Sequence, residues 1–417
     1  MSESIHNYFY PLHMNNWNRD KIKENTSVLA KYLYSEDQCV VVLDGTYRYI
    51  QKSSNFEFQR LSYSGQKKRN LYKPFFCVTT TGKIISVFGP LTANTSDVTI
   101  IKEVIELDVF EDLFETGDYF LVDRGFRDTI TLLESKGFVT LMPSFLEKNK
   151  CQLSTLEANK SRLCTKQRGI VERVFGRLRS HFKYFANRSQ NKSLKTDFRD
   201  LLNVCSVLNA YFPPIISDSG YEEEISNRLK SLLHKPNHLS DFVIQQKLNS
   251  KRVNFRDMDS SLDIEFPFLE QQDLYLLALG SYQLKLAPSY YAQHSGNADN
   301  IIQIYRDQDI LKSVLEQHSI IYEEPYLFRG RIHSRHSNKT KYFFNILHDL
   351  SKTGVHMIIV YFCQFKSGLR TIGCCAHIMT TFWFFCNARW QTSLANPAHL
   401  NSFFNDIDGS ETESEIE

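Results

Sequence analysis

Apolar positions along the chain gather into short β-branched runs and helix-spaced stripes, separated by polar turns. The strongest run, Val40, Val41, Val42 and Leu43, reads as a buried strand that ends on Asp44, Gly45, Thr46 and Tyr47. A second run of the same design, Tyr119, Phe120, Leu121 and Val122, ends on Asp123, Arg124 and Gly125. Before them, 18–34 reads as a helix with Ile22, Val28, Leu29 and Leu33 as a ragged stripe. Strands are predicted over 39–51, 56–63, 75–80 and 83–89, the last after a Thr81, Gly82 turn, and this succession implies an antiparallel meander. A helix over 98–107 is capped by Ser96 or Asp97. Strand 119–123, helix 128–136 and strand 138–142, closed by Pro143, then alternate as parallel-paired units do.

A polar stretch, 147–166, precedes helices at 167–184 and 197–211, the second stopped by Pro213 and Pro214. That double proline is the expected boundary. Beyond it, 221–233 and 309–318 read as helical and 273–286 as helical or mixed. A strand pair is predicted at 326–333 and 341–347, a strand at 355–362 and an apolar helix at 376–387. The expected organisation is a helical lead-in at 1–38, a first α/β domain at 39–214, an irregular helical connector at 215–320, a smaller α+β domain at 321–395 and an acidic, disordered tail at 396–417.

Composition adds limits rather than function. With 417 residues, two domains are expected rather than one, and 42% hydrophobic with 13% aromatic residues supplies a sizeable core. The first ten residues lack a basic start followed by an apolar run, so no signal peptide is expected. The richest apolar stretch, 378–385, falls short of the ~18 residues a membrane helix needs. Nine cysteines in such a chain do not read as a disulfide framework. The net charge of +2 is unevenly laid out: residues 160–199 hold twelve Lys or Arg against two acids, and 406–417 hold six acids and no base. A basic block of this kind is the footprint of a polyanion partner or else a solvated helix face.

The strand ends carry the candidate chemistry. A buried ionised carboxylate is costly unless paired or metal-bound, so two strands that both finish on Asp, followed by a helix bearing Glu172, point to a shared cation site. One such strand end alone would read as a turn cap. Meander, helix, parallel strand and later helix together describe a ribonuclease H-like layout, a mixed sheet flanked by helices. Three hard oxygen ligands suit Mg²⁺ or Mn²⁺, and two such ions about 4 Å apart can drive hydrolysis or transfer at a phosphodiester. Of the nearby acids, Asp118 reads as a turn residue, Asp97 as a helix cap within reach of the site, and Asp128 as a helix start. On the Glu172 helix, Arg168 and Gly176 share its face, while Val171, Val174, Phe175, Leu178 and Phe182 are the apolar share. Gly176 costs a helix interior about 1 kcal/mol against Ala, which predicts a close packing partner. Arg168, Arg173, Arg177, Arg179 and Lys183, with Lys67, Lys68 and Arg69 from a loop, are candidate phosphate contacts. For any one of these bases, a solvated side chain is the simpler account.

The ordered series Leu43-Asp44-Gly45-Thr46, Tyr63-Ser64-Gly65-Gln66-Lys67-Lys68, Lys73-Pro74, Ser96-Asp97, Asp123-Arg124-Gly125-Phe126 and Arg168-Gly169-Ile170-Val171-Glu172-Arg173-Val174-Phe175-Gly176-Arg177-Leu178 resembles the DDE superfamily endonucleases. The nearest likeness is to eukaryotic transposases of the Harbinger/PIF type, and it covers roughly 40–212. The resemblance implies Asp44, Asp123 and Glu172 as a catalytic metal-binding triad, Mg²⁺ or Mn²⁺ as cofactor, DNA as substrate and the nucleus as location. Such relatives usually carry a DNA-binding domain ahead of the catalytic one. About 40 residues precede Asp44 here, so a truncated copy, a homo-oligomer or a separate DNA-binding partner is expected. The alternative is a domesticated or decayed transposase that binds nucleic acid and zinc without cutting, and a protein-interaction module built on the zinc knuckle is a third reading.

Near the end, Cys363-Gln364-Phe365 and Cys374-Cys375-Ala376-His377 resemble the SWIM zinc module, Cys-x-Cys followed by Cys-x-His. Phe365 stands where the second cysteine belongs. The resemblance implies Zn²⁺ held by Cys363, Cys375 and His377, with Cys374 a possible substitute, or a degenerate knuckle held by its core. His333 and His336 read as surface or DNA-facing residues.

Overall fold

Val40 to Leu43 have no solvent exposure, and fully burying each such side chain is worth roughly 1.5–3 kcal/mol. They open strand β1 (Val40–Gly45) in the computed structural model, which describes residues 6–7, 10–11, 14, 16–106, 108–217, 220–250, 254–257, 266–294, 302–334 and 337–391. The chain divides into two compact units, Met1–Phe145 with Lys160–Lys230, and Leu146–Asn159 with Ser231–Glu417. Thus the first unit runs on past Pro213 and Pro214, while a short stretch of the polar 147–166 region belongs to the second.

In the first unit β1 is followed by β2 (Arg48–Tyr49), β3 (Tyr63–Ser64), β4 (Arg69–Thr79), β5 (Ile84–Thr92), β6 (Tyr119–Leu121) and β7 (Val139–Leu141). β4 runs antiparallel to β1 on one side and to β5 on the other, and β1, β6 and β7 run parallel. β2 and β3 add short antiparallel pairs to β4. Strand parity sorts the core. Val41 and Leu43 pack with Ile100, Ile101, Val104 and Phe120 on one face, and Val40 and Val42 pack with Leu121, Val171, Val174 and Phe175 on the other. The mixed sheet therefore lies between helix Asp97–Ile105 and helix Thr155–His181.

Five antiparallel strands build the second unit: β8 (Phe255–Asp257), β9 (Ile302–Tyr305), β10 (Pro325–Ser334), β11 (Ser337–Asp349) and β12 (Ile358–Cys363), in that order across the sheet. Phe328, Phe344 and Ile346 pack with residues of helices Gln271–Ala278, Ser281–His294 and Ala376–Cys386. Leu327, Leu347 and Phe362 pack on the other side with Leu239, Phe242, Leu311 and Leu315.

Several expectations from the pattern are corrected. Residues 56–63 are not a strand: Phe56–Ser62 is a helix, because the Asn55 side chain accepts from the Phe58 amide as an N-cap, and Phe56 is left 87% exposed. The polar stretch becomes helical from Thr155, twelve residues before the expected start at 167. Ser154 and Glu157 cap it reciprocally, with Ser154 N 2.9 Å from Glu157 Oε2 and Glu157 N 3.3 Å from Ser154 Oγ. Region 273–286 is two helices, broken where Leu279 takes a left-handed φ of 52° before Gly280. The strand expected at 355–362 starts only at Ile358, after a 3₁₀ turn. Helix His238–Gln245 and strands β8 and β9 had no expectation. The tail at 396–417 lies outside the described residues.

Candidate functional site

β1 and β6 place their terminal acids side by side. Val40, Val41 and Val42 are in register with Tyr119, Phe120 and Leu121, and two further residues bring each strand to its aspartate, Asp44 and Asp123. Parity puts both on the face of Val42 and Leu121, the face covered by the helix that carries Glu172. On that helix Val171, Val174, Phe175 and Leu178 are buried, and Glu172 is exposed. Asp44 is almost enclosed, its side chain 13% exposed, while Asp123 is 46% exposed at the mouth of a 3₁₀ turn, Arg124–Thr129.

A cation already sits between the two aspartates. Arg168 Nη1 donates to Asp44 Oδ2 at 3.1 Å, and Arg168 Nη2 lies 3.6 Å from Asp123 Oδ1. The Gly45 amide donates to Asp44 Oδ1 at 2.8 Å. Burial pushes the Asp44 carboxyl up to about 7; Glu172 and Asp123 add to the rise, and Arg168 and the Gly45 amide oppose it. An acid so placed is short of positive charge at neutral pH even with its arginine.

Asp97 stands at the same edge. Ser96, not Asp97, caps the following helix, its Oγ accepting from the Thr99 amide at 3.1 Å. Asp97 is turned toward Gly125, where a Cβ would lie 2.7 Å from its Oδ2, so any side chain there would push the carboxylate aside. Burial pushes Asp97 up, Lys73 opposes this and Asp123 adds to it. Tyr47 completes the edge. Its hydroxyl is pushed up by burial, then by Asp97 and Asp44, and Lys67 Nζ lies 4.7 Å over its ring. Tyr47 was not singled out from sequence, although it directly continues the Asp44-Gly45-Thr46 run.

Other nominated residues divide sharply. Arg168 is not a free base facing solvent but the partner of Asp44 and Asp123. Arg173 and Arg177 hold backbone instead of standing free, donating to Ile215 O at 3.1 Å and Pro213 O at 2.6 Å. Arg179, Lys183, Lys67, Lys68 and Arg69 are exposed, with Arg69 stacked over Tyr49 at 5.6 Å. Gly176 has no close packing partner, since a Cβ there would meet nothing within 4 Å. Asp118 is no simple turn residue. It is fully buried and accepts from Arg19, from the Cys39 amide at 2.8 Å and from the Glu115 amide at 2.8 Å, which ties it to structure. Asp128 starts no helix; it is exposed and paired with Arg127.

Sequence reasoning passed over a buried hub, Asp197. Arg48 Nε, Tyr72 Oη, Tyr184 Oη and Ser189 Oγ donate to it at 3.0, 2.6, 2.5 and 2.6 Å. Burial works to raise its pKa, and these hydrogen bonds outweigh burial and hold it below the usual carboxylate range. Its partners are scattered over 142 positions of chain, Arg48 to Ser189, so no local motif marks it.

Among the described residues, one group of three potential metal ligands has its ligand atoms within 4.8 Å of one another: Cys363, Cys375 and His377, all buried. Asp44, Asp123 and Glu172 are not such a group, although Glu172 and Asp123 both act on the Asp44 carboxyl. Cys363 ends β12 and Cys375 caps helix Ala376–Cys386. Their sulfurs lie 3.6 and 3.7 Å from His377 Nδ1. Burial and Cys375 push the Cys363 thiol up. Burial opposes ionisation of Cys375 too, but hydrogen bonds from Cys363 and His377, with the charges of His377 and Arg370, hold it well below the usual thiol range. Phe365 packs its ring 5.4 Å from that of His377. Cys374 turns to Met379, its sulfur 3.7 Å from Met379 Sδ. The knuckle is braced from within its own unit by Gln152 Nε2, which donates to Cys363 O at 2.8 Å and Phe365 O at 2.6 Å, and by the Leu153 amide. His333 lies on β10 and is half-buried; His336 lies outside the described residues.

Residues 43–209, a span that takes in Asp44, Asp123 and Glu172, match the family model of the DDE superfamily endonucleases. That family implies transposase-like nuclease chemistry on DNA with divalent metal. No curated protein and no solved structure matches the chain. No helix among the described residues is long and apolar enough to cross a membrane.

Proposed function

We propose that the first unit is a ribonuclease H-like, divalent-metal-dependent DNA endonuclease or strand-transferase derived from a Harbinger/PIF-type transposase, with Asp44, Asp123 and Glu172 as its metal-binding triad. The observation that carries this reading is the pair of aspartates that follow the in-register segments of β1 and β6 and share one cation, Arg168 of the Glu172 helix. The donor set fits Mg²⁺ or Mn²⁺: all three are hard carboxylates, and the Arg168 guanidinium occupies a place where positive charge is in demand. Bound divalent ions would activate a water or 3′-hydroxyl and stabilise the leaving oxygen at a phosphodiester. The chain's own residues do the rest. Asp44 and Asp123, fixed by a rigid sheet, set one side of the site, and Glu172 approaches from the helix. Exposed Lys67, Lys68, Arg69, Arg179 and Lys183 attract the phosphate backbone.

The second unit is read as a zinc-stabilised, SWIM-like module. Sulfur-to-nitrogen separations of 3.6 and 3.7 Å suit two thiolates and an imidazole around one tetrahedral ion with Zn–S near 2.3 Å and Zn–N near 2.0 Å. Phe365 cannot be a ligand, so this site would hold zinc less tightly than a four-ligand knuckle.

The test is Mg²⁺- or Mn²⁺-dependent nicking of duplex DNA by the full chain. Asp44→Asn, Asp123→Asn and Glu172→Gln should each lower the rate by two or more orders of magnitude, since each removes charge that the metal requires. Parental rates in all three variants would refute the triad.

A further inference from the structure

Among the described residues, Arg168 forms ion pairs with Asp44 and Asp123. Its side chain is 18% exposed, with Nη1 3.1 Å from Asp44 Oδ2 and Nη2 3.6 Å from Asp123 Oδ1. Nε is buried and makes no hydrogen bond among the described residues. An arginine with one buried donor unpaired is held there by charge rather than by complete satisfaction of its fork. Its neighbours on the helix are committed elsewhere, Arg173 to Ile215 O and Arg177 to Pro213 O. Arg168 stands one helical turn before Glu172, on the same helix.

A guanidinium and a divalent ion drawn to the same two carboxylates repel each other at that range. We propose that Arg168 is a built-in counter-cation: it offsets part of the charge of Asp44 and Asp123 while metal is absent, competes with the divalent ion, and yields when a DNA phosphate takes its guanidinium. Metal and DNA would then load the site together, and by linkage each must tighten the binding of the other. This rests on the reading of the site as a divalent-metal centre.

The experiment measures Mn²⁺ binding to the full-length protein at pH 8 by electron paramagnetic resonance, without DNA, for the parent, Arg168→Gln and Arg168→Lys. Arg168→Gln should bind Mn²⁺ at least about tenfold more tightly, the worth of one charge-assisted hydrogen bond, and Arg168→Lys should stay near the parent. A second measurement follows duplex binding by fluorescence anisotropy in Ca²⁺ and in chelator. The gain on adding Ca²⁺ should be larger for the parent than for Arg168→Gln. Mn²⁺ binding by the parent with no tightening in Arg168→Gln, or equal Ca²⁺ gains, overturns the inference and leaves the metal centre standing. No Mn²⁺ binding by parent or variants overturns the metal reading and the inference with it.

Discussion

The carboxylate group of the first unit and the thiol–imidazole group of the second solve opposite problems. Asp44, Asp123 and Glu172 come from two strands and a helix, are graded from nearly enclosed to exposed, and leave Asp44 short of compensating charge. Cys363, Cys375 and His377 come from within fifteen residues, are wholly buried, and satisfy one another through contacts of 3.6 and 3.7 Å. Open, undercompensated carboxylates store unfavourable electrostatics that a cation can relieve. A closed, mutually bonded set of soft ligands has little left to offer a substrate. That difference is why we place chemistry in the first and structural support in the second.

The largest effect should come from cutting that separation at its soft end. Cys363→Ser, Cys375→Ser and His377→Ala should each release zinc and lower the melting temperature by many degrees, because zinc binding to such sites is folding free energy. Asp44→Asn should leave zinc content untouched. Elemental analysis and calorimetry check this, and zinc loss in Asp44→Asn would erase the distinction between the sites. In the other direction, Phe365→Cys should tighten zinc by supplying a fourth ligand.

A smaller effect sharpens the contrast within one unit. Asp197 is buried and fully hydrogen-bonded, whereas Asp44 is nearly enclosed and undercompensated. Asp197→Asn should destabilise by about 3 kcal/mol, since it leaves Arg48 buried without its carboxylate. Because Asp197 is depressed in the folded state, its contribution is present above the unfolded carboxylate range and is lost as pH falls through the folded value. Asp44 has the reverse sign. Raised to about 7, it favours the folded state below the unfolded value near 4 and works against it as pH climbs to 7. In chelator at pH 8, Asp44→Asn should therefore stabilise by roughly 1–3 kcal/mol, and the gain should vanish toward pH 4. Denaturant melts at both pH values decide it; a loss of stability at pH 8 would mean that Arg168 already compensates the acid in full.

The smallest effect concerns the bases. Neutralising exposed Arg179 and Lys183 should weaken duplex binding and reduce its salt dependence by about one phosphate contact each. Arg173→Ala and Arg177→Ala should act on stability instead, since both donate to backbone carbonyls.

What the sequence could disclose follows the range of each interaction. Parity along Val40 to Asp44 is local, and it fixes both strand and face. The Ser154–Glu157 cap was also local and readable as Ser-x-x-Glu, yet the polar composition of 147–166 obscured it. Phe56 and Phe58 mimic strand alternation although neither is buried, and only the Asn55 cap distinguishes helix there. The Asp197 hub, the Arg19–Asp118 pair and the Asn159 side chain, which donates to Thr371 Oγ1 at 2.8 Å, join residues 99 to 212 positions apart. Such links arise only once the chain has folded. Arg168 shows the same limit: helix spacing placed it beside Glu172, but its partners on two strands lie outside any local pattern.

The central claim is that Asp44, Asp123 and Glu172 share divalent metal. It is tested most directly by replacing Mg²⁺ with Fe²⁺ in the intact protein, adding ascorbate and peroxide, and mapping where the polypeptide is cut. Hydroxyl radicals act close to the bound iron. The account predicts breaks near residues 44, 123 and 172 in the same sample, all suppressed by excess Mg²⁺. An intact chain at those three positions, or breaks there that Mg²⁺ does not suppress, would contradict it.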